Sequence, residues 1–313
     1  MTKSTPAWLA RAAATAGLIV AGTTLAQAAS APTISFGVPP WPGVSVKTEI
    51  AEQLLTTLGY QTKTENVGLP FIYRGLTDGN TDVFMGAWLP AQKAMLGPLV
   101  KKKQVVKLGS NLSGAIEGLA VPDYVWNKGI HSIKDLAAHP KMFDHKIYGI
   151  EAGSAMDQAI SKAIKNNYQG LGDYKLVPSS TAAMLAELKH SEPKKSPMVF
   201  LGWRPHWMNI KFHIHYLKDK HGSAIAGIKS DVLTLVSAKL NNDNVTTLLK
   251  HIHVPAKTQS RWIYDYSYKK GDKSTVAHQW LASHPKTVEK WLAGVKTVDG
   301  GSAVDAYHKR YAK

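Results

Sequence analysis

Apolar residues recur along this chain with two periods that take turns. Thr33 to Val38 (TISFGV) is a short, mostly apolar run and predicts a strand. Pro42-Gly43 then opens a stretch in which Val46, Ile50, Leu54 and Leu58 recur every four residues, with Ala51 and Leu55 beside them. That stripe predicts a helix with Pro42 in its first turn, where a missing N–H is harmless, and Gly59 ending it in the left-handed position. Gln61 to Asn66 predicts a second strand, and Pro70 to Leu76 a short helix. Asp82 to Ala87 (DVFMGA) predicts a third strand, with helix from Pro90 onward. This is the grammar of a mostly parallel sheet with helices on both faces.

The middle of the chain repeats it. Ser132 caps a helix to Ala138, Lys146 to Ile150 is a strand, and Ala155 to Asn166 a helix. Lys175 to Val177, Thr181 to Lys189 and Met198 to Gly202 (MVFLG) predict strand, helix and buried strand. Beyond them Lys211 to Leu217 and Val232 to Val236 predict strands. Ser274 to Ala282, Thr287 to Ala293 and a last segment near the C-terminus predict helices. The order fits an α/β chain of two lobes: residues 29–120, then 121–213, with 214–313 returning to the first lobe. Short crossings fall near Leu119 to Pro122 and near Lys211 to Tyr216, and a cleft lies between the lobes.

The first residues follow another rule. Lys3 and Arg11 precede a short apolar run, Ala12 to Leu25, and Ala26-Gln27-Ala28 is a small-x-small cleavage site. The run is too short to span a bilayer comfortably, which takes about 20 apolar residues. The expectation is a signal peptide of residues 1–28 and an exported, periplasmic product. The 38 Lys+Arg against 22 Asp+Glu could suggest a nucleic-acid or membrane partner. The lysines are scattered, however, and the tightest cluster, Lys101-Lys102-Lys103, sits at a helix end, where it offsets the helix dipole. No nucleic acid is expected as a partner. The absence of Cys excludes thiolate metal sites and Cys nucleophiles.

Three tryptophans then draw attention. Trp41, Trp88 and Trp203 each follow a predicted strand at its carboxyl end, the edge where open α/β sheets bind ligands. Trp280 and Trp291 sit inside helical patterns and read as packing residues, while Trp126, Trp207 and Trp262 default to packing. Three indoles converging on a cleft would form an aromatic box. A quaternary ammonium has no N–H to donate, is weakly hydrated and positive, and suits the negative faces of indole rings at about 0.5–2 kcal/mol per contact. Burial in a core is the alternative for all three.

Around these residues the chain resembles the substrate-binding proteins of ABC importers for glycine betaine, choline and related compatible solutes. The segments that carry the resemblance are Trp41-Pro42-Gly43-Val44, then Asp82-Val83-Phe84-Met85-Gly86-Ala87-Trp88-Leu89-Pro90, and Val199-Phe200-Leu201-Gly202-Trp203-Arg204-Pro205-His206. The resemblance covers nearly the whole chain after the signal. It implies a two-lobed periplasmic-binding-protein fold of the type II-like kind, with a box of Trp41, Trp88 and Trp203 around a trimethylammonium head. It further implies a monomeric receptor that serves a membrane permease and its ATPase, without cofactor or metal. Choline binders of this family carry an aspartate two positions beyond the first Trp, where this chain has Gly43. A further box aromatic is replaced by Glu117, and a polar ligand contact falls near Ser154. Glu117 would either face the cationic head or lie in a solvated loop. His206 would either line the cleft or make a structural hydrogen bond.

His213/His215 and His251/His253 are the only close histidine pairs, and neither has a third ligand at a matching spacing. No H-E-x-x-H, G-x-S-x-G, Walker or dinucleotide motif is present. The sequence therefore favours a non-enzymatic solute receptor. An exported hydrolase of trimethylammonium esters, or a sensor subunit using the same box, are the competing readings. A nucleophile beside a general base in the cleft would mark the hydrolase.

Overall fold

A computed structural model describes residues 32–311, so the expected signal segment and its cut after Ala28 lie outside the described residues. The first strand and helix form where the pattern put them. β1 (Thr33–Val38) leads into the helix Pro42–Thr57, whose stripe of Val46, Ile50, Leu54 and Leu55 is fully buried. Gly59 follows with φ +93°, a conformation that L side chains rarely adopt. β2 (Gln61–Asn66) and β3 (Val83–Leu89) both lie parallel to β1. Farther along, β5 (Lys146–Tyr148) pairs in parallel with β6 (Lys175–Val177) and with β7 (Phe200–Arg204).

Between these two parallel groups run antiparallel strands. β4 (Val105–Pro122) has 18 residues and pairs with β9 (Ile228–Ser237) through three register shifts. β9 also pairs with β3, and β4 with β7, so one mixed sheet runs β2-β1-β3-β9-β4-β7-β5-β6. The short β8 (Ile214–Tyr216) and β10 (Val254–Pro255) pair with β4 off this path. The sequence pattern predicted the parallel groups. It did not predict β4, because Gly109, Gly114 and Gly118 interrupt it with positive φ and its alternation slips at each bulge.

Hydrophobic side chains collect in separate cores on this sheet. One holds β1, β3, the helix Pro42–Thr57 and the C-terminal helices. Two others hold the segments around β5, β6 and β7. Leu217, Ile225 and Ala226 pack with Leu119, Ile147 and Val199, so the chain stays with the second group past the expected crossing near Lys211 to Tyr216. Trp280 and Trp291 stack at 5.2 Å, and Trp280 meets the buried Trp262 edge to face at 5.0 Å. These three are packing residues. Trp262→Ala should lower unfolding stability by about 3–5 kcal/mol through the cavity it leaves. Chemical denaturation measures this, and an unchanged midpoint would contradict the packing role.

Candidate functional site

The Pro42–Thr57 helix begins at the mouth of a cavity. Trp41 is its N-cap residue, extended at φ −109° and ψ 120°, and its carbonyl accepts from Ser45 N at 3.1 Å and Ser45 Oγ at 3.0 Å. These bonds fix the backbone that carries the indole. The ring is fixed in turn, because its Nε1 donates to Glu151 Oε2 at 3.3 Å. Glu151 accepts from Thr181 N at 2.9 Å and Thr181 Oγ1 at 3.3 Å. A residue packed on the first core is thereby tied to a segment that follows Ile150 of another.

Trp88 comes from the end of β3. The β3–β9 register shifts between Phe84 and Ala87, which frees the Met85 and Gly86 carbonyls from the ladder. Asn111 Nδ2 donates to the Met85 carbonyl at 3.1 Å, and Gln92 Nε2 to the Gly86 carbonyl at 3.2 Å. Trp203 lies within β7, in register with Glu117 on β4. The sequence placed it one step past a strand end; β7 runs on to Arg204. Trp41, Trp88, Trp203, Glu117 and Ser154 all line one cavity, with about 640 Å³ free of atoms when its open mouth is included.

Glu117 is a strand residue and is buried, not solvated in a loop. Its Oε1 accepts from Ser230 Oγ at 3.3 Å. Burial pushes its carboxyl up to about 7, against the opposing pull of that hydrogen bond. Ser154 is the N-cap of the helix Ala155–Lys165, and its Oγ accepts from Asp157 N at 3.1 Å. It meets the cavity with one lone pair engaged in the cap and its O–H still able to donate.

His206 is not on the cavity wall. It is fully buried behind the box, edge-on to Trp203 at 5.0 Å and tilted against Trp207 at 5.2 Å. Its Nδ1 accepts from Met208 N at 3.3 Å, which makes the structural hydrogen bond the correct alternative. Burial pulls its imidazole down to about 3, so it is neutral at any ordinary pH and adds no charge behind Trp203.

Sequence reasoning missed Lys47, Gln92 and Gln259, all on the cavity wall. Lys47 is buried, and its Nζ donates to Asn111 Oδ1. Burial pulls its amine down to about 7. Asn111 also donates to Thr234 Oγ1 at 2.9 Å, so one amide joins the helix to β3, β4 and β9 beneath the tryptophans. A signal for Lys47 existed: it precedes Ala51 and Leu54 at helical spacing, inside the buried stripe. Gln259 lies on a helix, Ala256–Ile263, that the pattern did not predict.

The Glu117 result sets a stability test. Its carboxyl lies above the ordinary glutamate value, so its contribution is fully present below about pH 4.5 and is lost as pH rises through about 7. Glu117→Gln, which keeps the geometry without the charge, should be more stable than the parent at pH 8 by up to about 3 kcal/mol. The gap should close below about pH 4.5. Denaturation curves across pH test this, and a gap independent of pH would show that Glu117 titrates like a solvated acid.

Residues 32–283 match the family described as OpuAC, the substrate binding domain of an ABC-type glycine betaine transport system. A solved ABC-transporter choline binding protein in complex with choline is 32% identical with a TM-score of 0.85, over 88% of this chain and 97% of that one. Lactococcal OpuAC, in a closed-liganded conformation complexed with glycine betaine, is 28% identical with a TM-score of 0.74, over 83% and 99%. The glycine betaine/carnitine transport binding protein GbuC of Listeria monocytogenes is 31% identical over 169 residues, 53% of this chain and 54% of that protein.

Proposed function

The chain belongs to this family of ABC-transport substrate-binding domains, and we propose that it captures a quaternary ammonium solute between Trp41, Trp88 and Trp203. It then delivers the solute to a membrane permease driven by an ATPase. One observation carries the reading: three indoles and a buried carboxylate, drawn from four separate segments, share the wall of one cavity. The indole faces attract the methylated cation, and Glu117 adds its charge in a site with little water to screen it. The bound solutes of the choline and glycine betaine binding proteins above are the chemistry such a wall selects.

The protein acts in the periplasm after cleavage of residues 1–28. Among the described residues no helix is long and apolar enough to cross a membrane. The family is one of transport substrate-binding domains, and that is the ground for reading binding here. Ser154 Oγ accepts as a helix cap, and the neutral His206 stands behind Trp203. The separate cores act as the two lobes, with β4 and β9 as the crossings, and ligand draws them together by touching both.

Alanine in place of Trp41, Trp88 or Trp203 should each weaken a trimethylammonium ligand by about 1–3 kcal/mol, with the melting temperature nearly kept. Trp262→Ala should do the reverse. Calorimetric titration beside thermal melts tests this, and three strand-end variants binding like the parent would sink the box. Affinity should rise with pH through about 7 as Glu117 ionises, and Glu117→Gln should flatten that profile. A parent whose affinity is flat from pH 5 to 9 would remove Glu117 from the ligand site.

A further inference from the structure

Two glutamines line the cavity, and their amides are treated differently by the chain. Gln92 is satisfied at both ends: its Oε1 accepts from Tyr73 OH at 2.8 Å and its Nε2 donates to the Gly86 carbonyl. Gln259 is as well buried, yet its Oε1 has no hydrogen-bond partner among the described residues. A buried amide oxygen without a partner is unfavourable, and native chains retain few of them.

Gly43 shows why Gln259 stands where it does. A Cβ at position 43 would lie 2.5 Å from Gln259 Nε2, so the amide would have to move, and 3.1 Å from Ile263 Cδ1, a tight contact. The missing side chain at the start of one helix is therefore the space that the Gln259 amide fills from another. Gly43 and Gln259 both lie on the cavity wall, two residues from the box tryptophan Trp41 in the first case.

We propose that Gln259 is a specificity-determining residue whose carboxamide, seated in the gap left by Gly43, binds the oxygen-bearing end of an alkyl quaternary ammonium ligand. The inference rests on the aromatic-box reading for the ligand's other end. A carboxamide serves this purpose because it carries an acceptor and a donor side by side. Its oxygen accepts from a hydroxyl tail, and its N–H donates to a carboxylate tail. A ligand without such a tail leaves the amide unpaired, so the site discriminates by what goes unsatisfied as well as by what it binds.

The test is calorimetric titration of the intact protein with tetramethylammonium, choline and glycine betaine, which share a methylated cation and differ in the tail. Gln259→Met keeps the volume and removes the hydrogen bonds. It should weaken the preferred oxygen-bearing ligand by about tenfold and leave tetramethylammonium unchanged. Gln259→Glu separates the two tails: it retains a hydroxyl ligand and rejects a carboxylate one. Gly43→Ala should displace the amide and reproduce Gln259→Met, and the double variant should lose no more than either alone. Melting temperatures recorded beside each titration exclude misfolding as the cause. If Gln259→Met lowers all three affinities equally, or none, the inference is overturned. If the parent fails to bind every one of the three, the box reading itself falls, a separate outcome.

Discussion

The β4–β9 ladder holds the rest of the molecule in place. Among the described residues these two strands are the only stretch of sheet that touches both parallel groups: β3 lies against β9 on one side and β7 against β4 on the other. An unbroken ladder would keep one regular twist there. Three register shifts along it add local twist and leave carbonyls and side chains free of the regular pattern. The cavity borders this ladder, with Val232 of β9 opposite Leu112 between two of the shifts and Glu117 of β4 just beyond the last, both reaching its wall.

An irregular sheet exposes polar backbone to the interior, and the chain answers with side chains. Asn111 and Gln92 take up the carbonyls released by the bulge in β3, and Lys47 holds Asn111 from the helix above. This arrangement explains a buried lysine in a helix stripe that is otherwise apolar. Its amine sits in a setting that favours the neutral form, while Glu117 sits in one that favours the neutral acid. Both groups are strongly desolvated, which makes their charge state responsive to whatever enters the cavity. His206 is the opposite case: burial holds it neutral throughout, so the wall behind Trp203 has a constant electrical character.

The parts of this design that follow local rules could be read from the chain. β1, the stripe of the Pro42–Thr57 helix, the turn at Gly59 and the cap at Ser132 obey periodicity and capping preferences, and they stand where those preferences put them; Ser154, expected as a ligand contact, proves to cap a helix as well. The three tryptophans stood out because each was expected just past a strand; Trp88 and Trp203 lie inside the last residues of β3 and β7 instead. β4 was hidden, since a strand interrupted by glycines loses the alternation that identifies strands. Gln259 was hidden for a different reason. Its importance comes from an empty place at Gly43, more than 200 residues earlier, and no local window contains both. The environment of Glu117 is likewise a property of what closes over it.

The bond between Trp41 and Glu151 has a consequence for timing. It links segments 110 positions apart and includes no atom of a ligand. If the two cores part in the cycle proposed above, the bond breaks, so it weights the shut arrangement whether the cavity is filled or empty. A receptor that spends part of its time shut and empty holds a solute longer once caught, and also shuts out new solute for part of the time. Scavenging at low concentration gains from a long residence, whereas rapid hand-over gains from a short one. The indole–carboxylate contact, held in place by Thr181, is one weight in that balance.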